Sequence, residues 1–183
     1  MYGLVNKAIE DLVCSRFSEE AWEAIKLKAG VDVDAFISMD SYPDCTTYRL
    51  VSAAAEVLKL SQAAVLEAFG QYWVLYTAKE GYEELLKMSG KTLEEFILNL
   101  NNLHARVGLS FPDLKPPSFW CSDVREGSMH LHYKSTRNGL APMVIGLLKG
   151  LGTMFETEVD VTQTCSREQG ADHDVFLISH HVR

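Results

Sequence analysis

At 183 residues the chain fits one domain on a prior of roughly 150 residues per domain, too short for a sensor and an effector together. Its 47% hydrophobic and 23% charged residues are those of a soluble globular protein with a sizeable core. The net charge of −8, with no run of Lys or Arg longer than two, excludes the attraction to phosphate backbones on which nucleic-acid binding rests. The apolar stretch Ala141 to Leu148 contains Pro142 and Gly146 and falls far short of the roughly 20 residues of a membrane span. Lys7, Glu10 and Asp11 stand where a secretory signal needs an unbroken apolar run. Cys14, Cys45, Cys121 and Cys165 are scattered without a CxxC pair, which favours a reducing compartment, and a cytoplasmic location is expected.

Apolar residues recur at helical spacing up to about residue 109 and alternate in much of the remaining chain. Val5, Ile9, Leu12 and Val13 mark a first helix; a second runs from Ser18 to a stop at Gly30. SYPD at 41–44 is a turn before a third helix to about Leu60, and Ser61 caps a fourth through Val65, Leu66, Phe69 and Trp73. Thr92 and Glu95 have capping-box spacing and open one further helix, LEEFILNLNNLHARVGL. Pro112, Pro116 and Pro117 then enforce an extended crossover. SMHLHYKST reads as a strand with Met129, Leu131 and Tyr133 on one face and His130 and His132 on the other. Residues 142–155 return to helix, and EVDVTQTCS and HDVFLISHHV pair as a hairpin across REQGAD. The expected class is α+β, one domain over 1–183, with a helical part over about 1–109 and a small antiparallel sheet carrying one inserted helix over about 118–183.

Two groups of residues could carry chemistry. Leu93, Phe96, Ile97, Leu100, Leu103 and Val107 trace an apolar stripe, and His104, four residues after Leu100, lies on it. On pattern alone His104 is either a core histidine satisfied by a neighbouring carbonyl or a buried metal ligand; one protein ligand suffices when a porphyrin supplies four nitrogens. In YKSTR, a strand period of two places Tyr133, Ser135 and Arg137 on one face, a phenol, a hydroxyl and a guanidinium suited to a carboxylate. Alone that triplet is equally an ordinary strand end. His130, His132, His173, His180 and His181 invite a zinc-hydrolase reading, against which stands the lack of an HExxH helix or of closely spaced ligand pairs. The GxSxG, P-loop and GxGxxG signatures are absent.

A helical histidine, a proline-containing connection and YKSTR resemble the H-NOX family, the haem nitric oxide/oxygen binding domains, to which the haem domain of soluble guanylate cyclase belongs. The resembling motifs are MYGLVNKAI at the start, YPD at 42–44, FGQYW at 69–73, NLHARV at 102–107, KPPSF at 115–119, YKSTR at 133–137 and GLAPMVIGLLKG at 139–150. The resemblance implies haem b held between the two parts of the fold, His104 as the proximal ligand to ferrous iron, and Tyr133, Ser135 and Arg137 on the propionates. It also implies that Pro117 packs against and distorts the macrocycle, and that Val5 lines the distal side. Aligning the Gly146-Leu147 pair with the family pattern places Met143 where oxygen-binding members carry a tyrosine, and Trp73 where another distal polar group occurs.

The function so implied is a stand-alone bacterial-type gas sensor, not an enzyme. It would bind nitric oxide, and also carbon monoxide, and signal by release of His104 to a separate histidine kinase or nucleotide cyclase. An oxygen sensor of the same fold is the near alternative. A zinc-dependent hydrolase and a colourless adaptor or lipid carrier are the distant ones.

Overall fold

A computed structural model of the chain describes residues 1–182. The helical part comprises α1 (Gly3–Arg16), α2 (Glu19–Ala29), α3 (Asp44–Leu58), α4 (Gln62–Thr77), α5 (Glu83–Lys87), α6 (Leu93–Leu98) and α7 (Leu100–Gly108). The rest holds β1 (Ser118–Arg125), β2 (Ser128–Lys134), α8 (Ala141–Met154), β3 (Thr157–Cys165) and β4 (Asp174–Val182). All pairings are antiparallel in the order β1-β2-β4-β3, with α8 inserted between β2 and β3, which is the expected α+β arrangement.

Helix starts obey local chemistry. Ser18 and Ser61 hydroxyls accept from the Ala21 and Ala64 N–H groups at 3.2 and 3.1 Å, satisfying donors that the first helical turn leaves without partners. Thr92 caps α6 by accepting from Glu95 N–H at 3.2 Å, and the Glu95 carboxylate reaches back to Lys91 N–H at 2.8 Å, one residue beyond the usual capping box. Gly30 closes α2 at φ 60°, a conformation that costs glycine little.

One expectation needs correction, and one strand has no counterpart among the expected elements. The helix expected through residues 93–109 breaks at Asn99 (φ −97°, ψ 4°) into α6 and α7. Leu93, Phe96 and Ile97 anchor α6 in the core, whereas Leu103 is the one buried side chain of α7 among the described residues. The stretch after Pro117, where the sequence pattern predicts no regular element, is strand β1. Its register on β2 shifts between Ser122 and Arg125, with Asp123 at φ 49°, and that irregularity hides the alternation.

The core has two lobes. One gathers α1 to α4 around Leu4, Ile9, Trp22, Ile25, Leu50 and Phe69. The other sets Met129, Leu131, Phe176 and Ile178 of the sheet against Val144, Leu148 and Leu151 of α8 and Phe96 and Ile97 of α6. At the seam α4 and α8 cross backbone to backbone. A Cβ on Gly70 would lie 2.1 Å from the Met143 carbonyl oxygen, and one on Gly146 2.0 Å from that of Glu67, so no side chain fits at either place.

Candidate functional site

The sheet and the helical part enclose a cavity of about 630 Å³, inside the roughly 300–1,000 Å³ range of cofactor pockets. Its walls are mainly apolar, with Leu4 and Val5 from α1, Phe69 and Trp73 from α4, Leu103 and His104 from α7, and Met143 from α8. Pro117 closes it from the crossover, while Tyr133, Ser135 and Arg137 meet at its polar end. Eight of the nine residues singled out in the sequence therefore share this one cavity. The ninth, Leu147, lines instead an adjoining space of about 100 Å³ together with Trp73, Thr77 and His104.

His104 belongs to both spaces. Its ring stacks on Phe119 at 5.8 Å, and its buried Nδ1 has no hydrogen-bond partner among the described residues. A core histidine satisfied by a carbonyl would not leave that nitrogen unpaired. Burial lowers the imidazole pKa, which favours the neutral form that binds metals. Asn101, which the sequence did not single out, steadies this helix: its amide donates to the Phe119 carbonyl at 2.6 Å and its oxygen accepts from Phe119 N–H at 3.0 Å. α7 is thereby clipped to β1 beside the ring that His104 stacks on.

The polar end is built differently from the strand expected. β2 stops at Lys134, and Ser135 and Arg137 come next in a turn in which Arg137 N–H donates to Ser135 Oγ at 3.1 Å. Burial pushes the Tyr133 phenol up, so it stays a neutral donor. Arg137 already holds a carboxylate of the chain: Nε and Nη2 donate to Asp44 Oδ2 and Oδ1 at 2.8 and 3.2 Å, and Nη1 donates to the Lys115 carbonyl at 2.9 Å. The terminal amine of Met1 donates to the same Asp44 at 2.6 Å. Asp44 went unnoticed because 93 residues separate it from Arg137, beyond any spacing rule.

Partial burial alone would raise the Asp44 pKa, but hydrogen bonds and charge from Arg137 and the terminal amine outweigh it and hold the carboxyl below its ordinary range. A depressed carboxyl contributes stability above its unfolded pKa and loses it as pH falls through the folded value. Melting temperature should therefore decline in acid below about pH 4, the unperturbed aspartate value. Asp44→Asn should show a shallower decline there, read from thermal melts across pH; an unchanged slope would remove Asp44 as its source.

The residues present fit a haem. An apolar cavity has one unpaired imidazole on its wall and a phenol, a hydroxyl and a guanidinium at its rim. A zinc site among the sheet histidines does not form. Among the described residues no group of three His, Cys, Asp or Glu side chains could hold a metal ion. His132 Nδ1 instead bonds His173 Nε2 at 2.8 Å, and His130 faces Asp123 at 3.4 Å. Also among the described residues, no helix is long and apolar enough to cross a membrane.

A family model described as haem-NO-binding matches residues 2–163, and the chain belongs to that family, the H-NOX domains. Its fold is the haem-based gas sensor fold found in soluble guanylate cyclases. Soluble guanylate cyclase gcy-37 of Caenorhabditis elegans is 33% identical over all of this chain and 26% of its own length. The rat guanylate cyclase soluble subunit beta-2 is 35% identical over 63% of this chain and 18% of its own. The chain spans about a quarter of the length of the curated relatives it matches. An H-NOX protein from S. oneidensis, solved in the Fe(II)NO ligation state, superposes with a TM-score of 0.90 at 20% identity over 99% of both chains, a likeness of fold.

Proposed function

We propose that the chain binds haem b with His104 as its axial ligand and responds to nitric oxide at ferrous iron, passing the signal to a separate protein by release of His104. The supporting observation is the buried, unpaired Nδ1 of His104 on the wall of a cavity whose far rim carries Tyr133, Ser135 and Arg137. When bound, haem supplies the iron at which a diatomic gas is held. The chain's own residues do the rest. Tyr133, Ser135 and Arg137 take the propionates, Pro117 bears on the macrocycle, and Val5, Trp73 and Met143 shape the gas-binding face. Among the described residues α7 buries Leu103 and is clipped to β1 by Asn101, so the His104 bond would be a further tether, and losing it would leave the helix free to shift about that clip. A histidine kinase or nucleotide cyclase would then read the altered surface, from a cytoplasmic location. Carbon monoxide is a second ligand on the same reading; an S. oneidensis H-NOX domain is solved in the Fe(II)CO state.

Arg137→Ala should accelerate haem loss. A shielded charge-assisted hydrogen bond contributes about 1.5–3 kcal/mol, a factor of roughly ten to 150, and only 18% of the Arg137 side chain is exposed. Transfer of haem to an apo-globin scavenger would measure it, and an unchanged rate would demote Arg137 to a brace for Asp44.

Selectivity depends on donors near Trp73 and Met143. Met143 has no donor, and the Thr77 hydroxyl is committed to its own helix, donating to the Trp73 and Val74 carbonyls at 2.8 and 3.2 Å. Dioxygen gains from a nearby donor; nitric oxide depends mainly on its bond to iron. The ferrous protein in air should show no stable oxygenated spectrum, yet give a five-coordinate nitrosyl spectrum with nitric oxide. Met143→Tyr should raise oxygen affinity by about five- to 150-fold, one hydrogen bond of about 1–3 kcal/mol. A stable oxygenated spectrum in the unsubstituted protein would favour the oxygen-sensor alternative, with the Trp73 indole as donor. A purified protein without a Soret band after haem addition would sink the haem reading.

A further inference from the structure

Trp73, part of the cavity wall, opens a chain of aromatic contacts leading away from it. Its indole stacks on Tyr76 with ring centroids 6.4 Å apart and planes 27° apart, and Tyr76 lies 6.2 Å from Tyr72. The Tyr72 hydroxyl donates to the Asp11 carboxylate on α1. The helical spacing of α4 causes this, since residues three and four apart share a face. Each separation is that of aromatic rings in packing contact, close enough for electrons to pass between them.

The two phenols differ in what surrounds their protons. Tyr76 is buried, and burial together with the charges of Glu80 and Asp11 pushes its hydroxyl up to about 12. No acceptor for its proton is found among the described residues. Tyr72 is half-buried at the groove between α1 and α4 and already aims its O–H at a base. Losing only a proton there would set a phenolate beside a carboxylate, and both burial and Asp11 raise the Tyr72 pKa accordingly. Losing an electron along with the proton is different: the pair goes from a net charge of minus one to zero.

We propose that Trp73, Tyr76 and Tyr72 form a relay that carries one-electron oxidising equivalents out of the cavity, with Tyr72 the terminal donor and Asp11 the acceptor of its proton. The relay rests on the haem reading for its source, ferric haem meeting hydrogen peroxide. The peroxide takes up two electrons, which the relay delivers singly, and two protons from solvent, made good by the proton the reductant releases with each electron, and becomes two waters. In each step Trp73 gives an electron towards the cavity and is refilled through Tyr76 from Tyr72. Tyr72 becomes a neutral phenoxyl radical as its proton passes to Asp11. A small one-electron reductant such as ascorbate, reaching Tyr72 from solvent, returns the electron, and Asp11 returns the proton. The relay thus discharges damage at a surface side chain instead of within the cavity.

The test is rapid-freeze electron paramagnetic resonance of the haem-loaded ferric protein mixed with hydrogen peroxide. A tyrosyl signal should appear and narrow when ring-deuterated tyrosine is incorporated. In Tyr72→Phe, matched for haem content by its Soret band, that signal should fall several-fold and bleaching of the haem should quicken. Asp11→Asn should slow radical formation and diminish its solvent deuterium effect. An equal signal and equal bleaching in Tyr72→Phe overturns the relay. If no haem is taken up, the haem reading fails and the relay is read separately by generating azide radicals, a one-electron oxidant, around the protein as purified. Trp120→Phe then serves as background to remove an exposed indole. Indolyl absorption should decay as phenoxyl absorption grows, several-fold less in Tyr72→Phe; transfer that ignores Tyr72 overturns the relay.

Discussion

His104→Gly should purify nearly free of haem and regain it when imidazole is supplied in solution. The substitution removes the imidazole whose buried Nδ1 has no partner among the described residues and leaves a hole of the shape of the lost ring, which free imidazole can fill. Changing even outer partners of a metal ligand costs about 10–100-fold in affinity, so losing the ligand itself should cost more than that. Soret absorbance per protein, with and without imidazole, measures the effect. Full haem content with an unaltered spectrum would return His104 to the status of a packing residue, and the loss of α-helical circular dichroism would separate misfolding from ligand loss.

Gly146→Leu is expected to be the most destabilising single change away from the haem. The first added carbon meets the Glu67 carbonyl oxygen at 2.0 Å and Gln71 N at 2.9 Å, both backbone atoms of α4 that no rotamer change can move. Overpacking typically costs about 1–3 kcal/mol and here has no soft neighbour to absorb it, so about 3 kcal/mol or more is expected. At roughly 2–4 °C per kcal/mol for a chain of this size the melting temperature should drop by about 10 °C. Gly108→Ala is the control, since a Cβ there meets no described atom within 4 Å and the helical backbone favours alanine by up to about 1 kcal/mol. Equal melting of the two variants would show that α4 and α8 can separate at no cost.

What could be read from the sequence was whatever repeats at short range. The stripe through Leu100, Leu103 and Val107 put His104 on an inward face, and alternation put Met129, Leu131 and Tyr133 in the core with His130 and His132 outside. Caps at Ser18, Ser61 and Thr92 fixed helix starts because a hydroxyl three residues before a free N–H is a local matter. Other features depend on partners distant in the chain. Nothing near Asp44 announces Arg137, and nothing near Asn101 announces the Phe119 backbone it clips. The break at Asn99 leaves the apolar period intact on both sides, so the pattern reads as one helix where the backbone makes two. Ser135 and Arg137 reach the cavity by a turn after β2 and not by the strand alternation that the pattern suggests.

The Asp44–Arg137 pair also works as a cross-brace. It ties the first turn of α3 to the turn that leaves β2, and so spans the two halves that enclose the cavity. A ligand carboxylate arriving at that rim competes with Asp44 for the same guanidinium. Filling the cavity and slackening the brace are then two sides of one equilibrium: whatever draws Arg137 inward loosens α3 from the sheet half, and whatever tightens α3 on Arg137 weakens the hold on the ligand by the same factor.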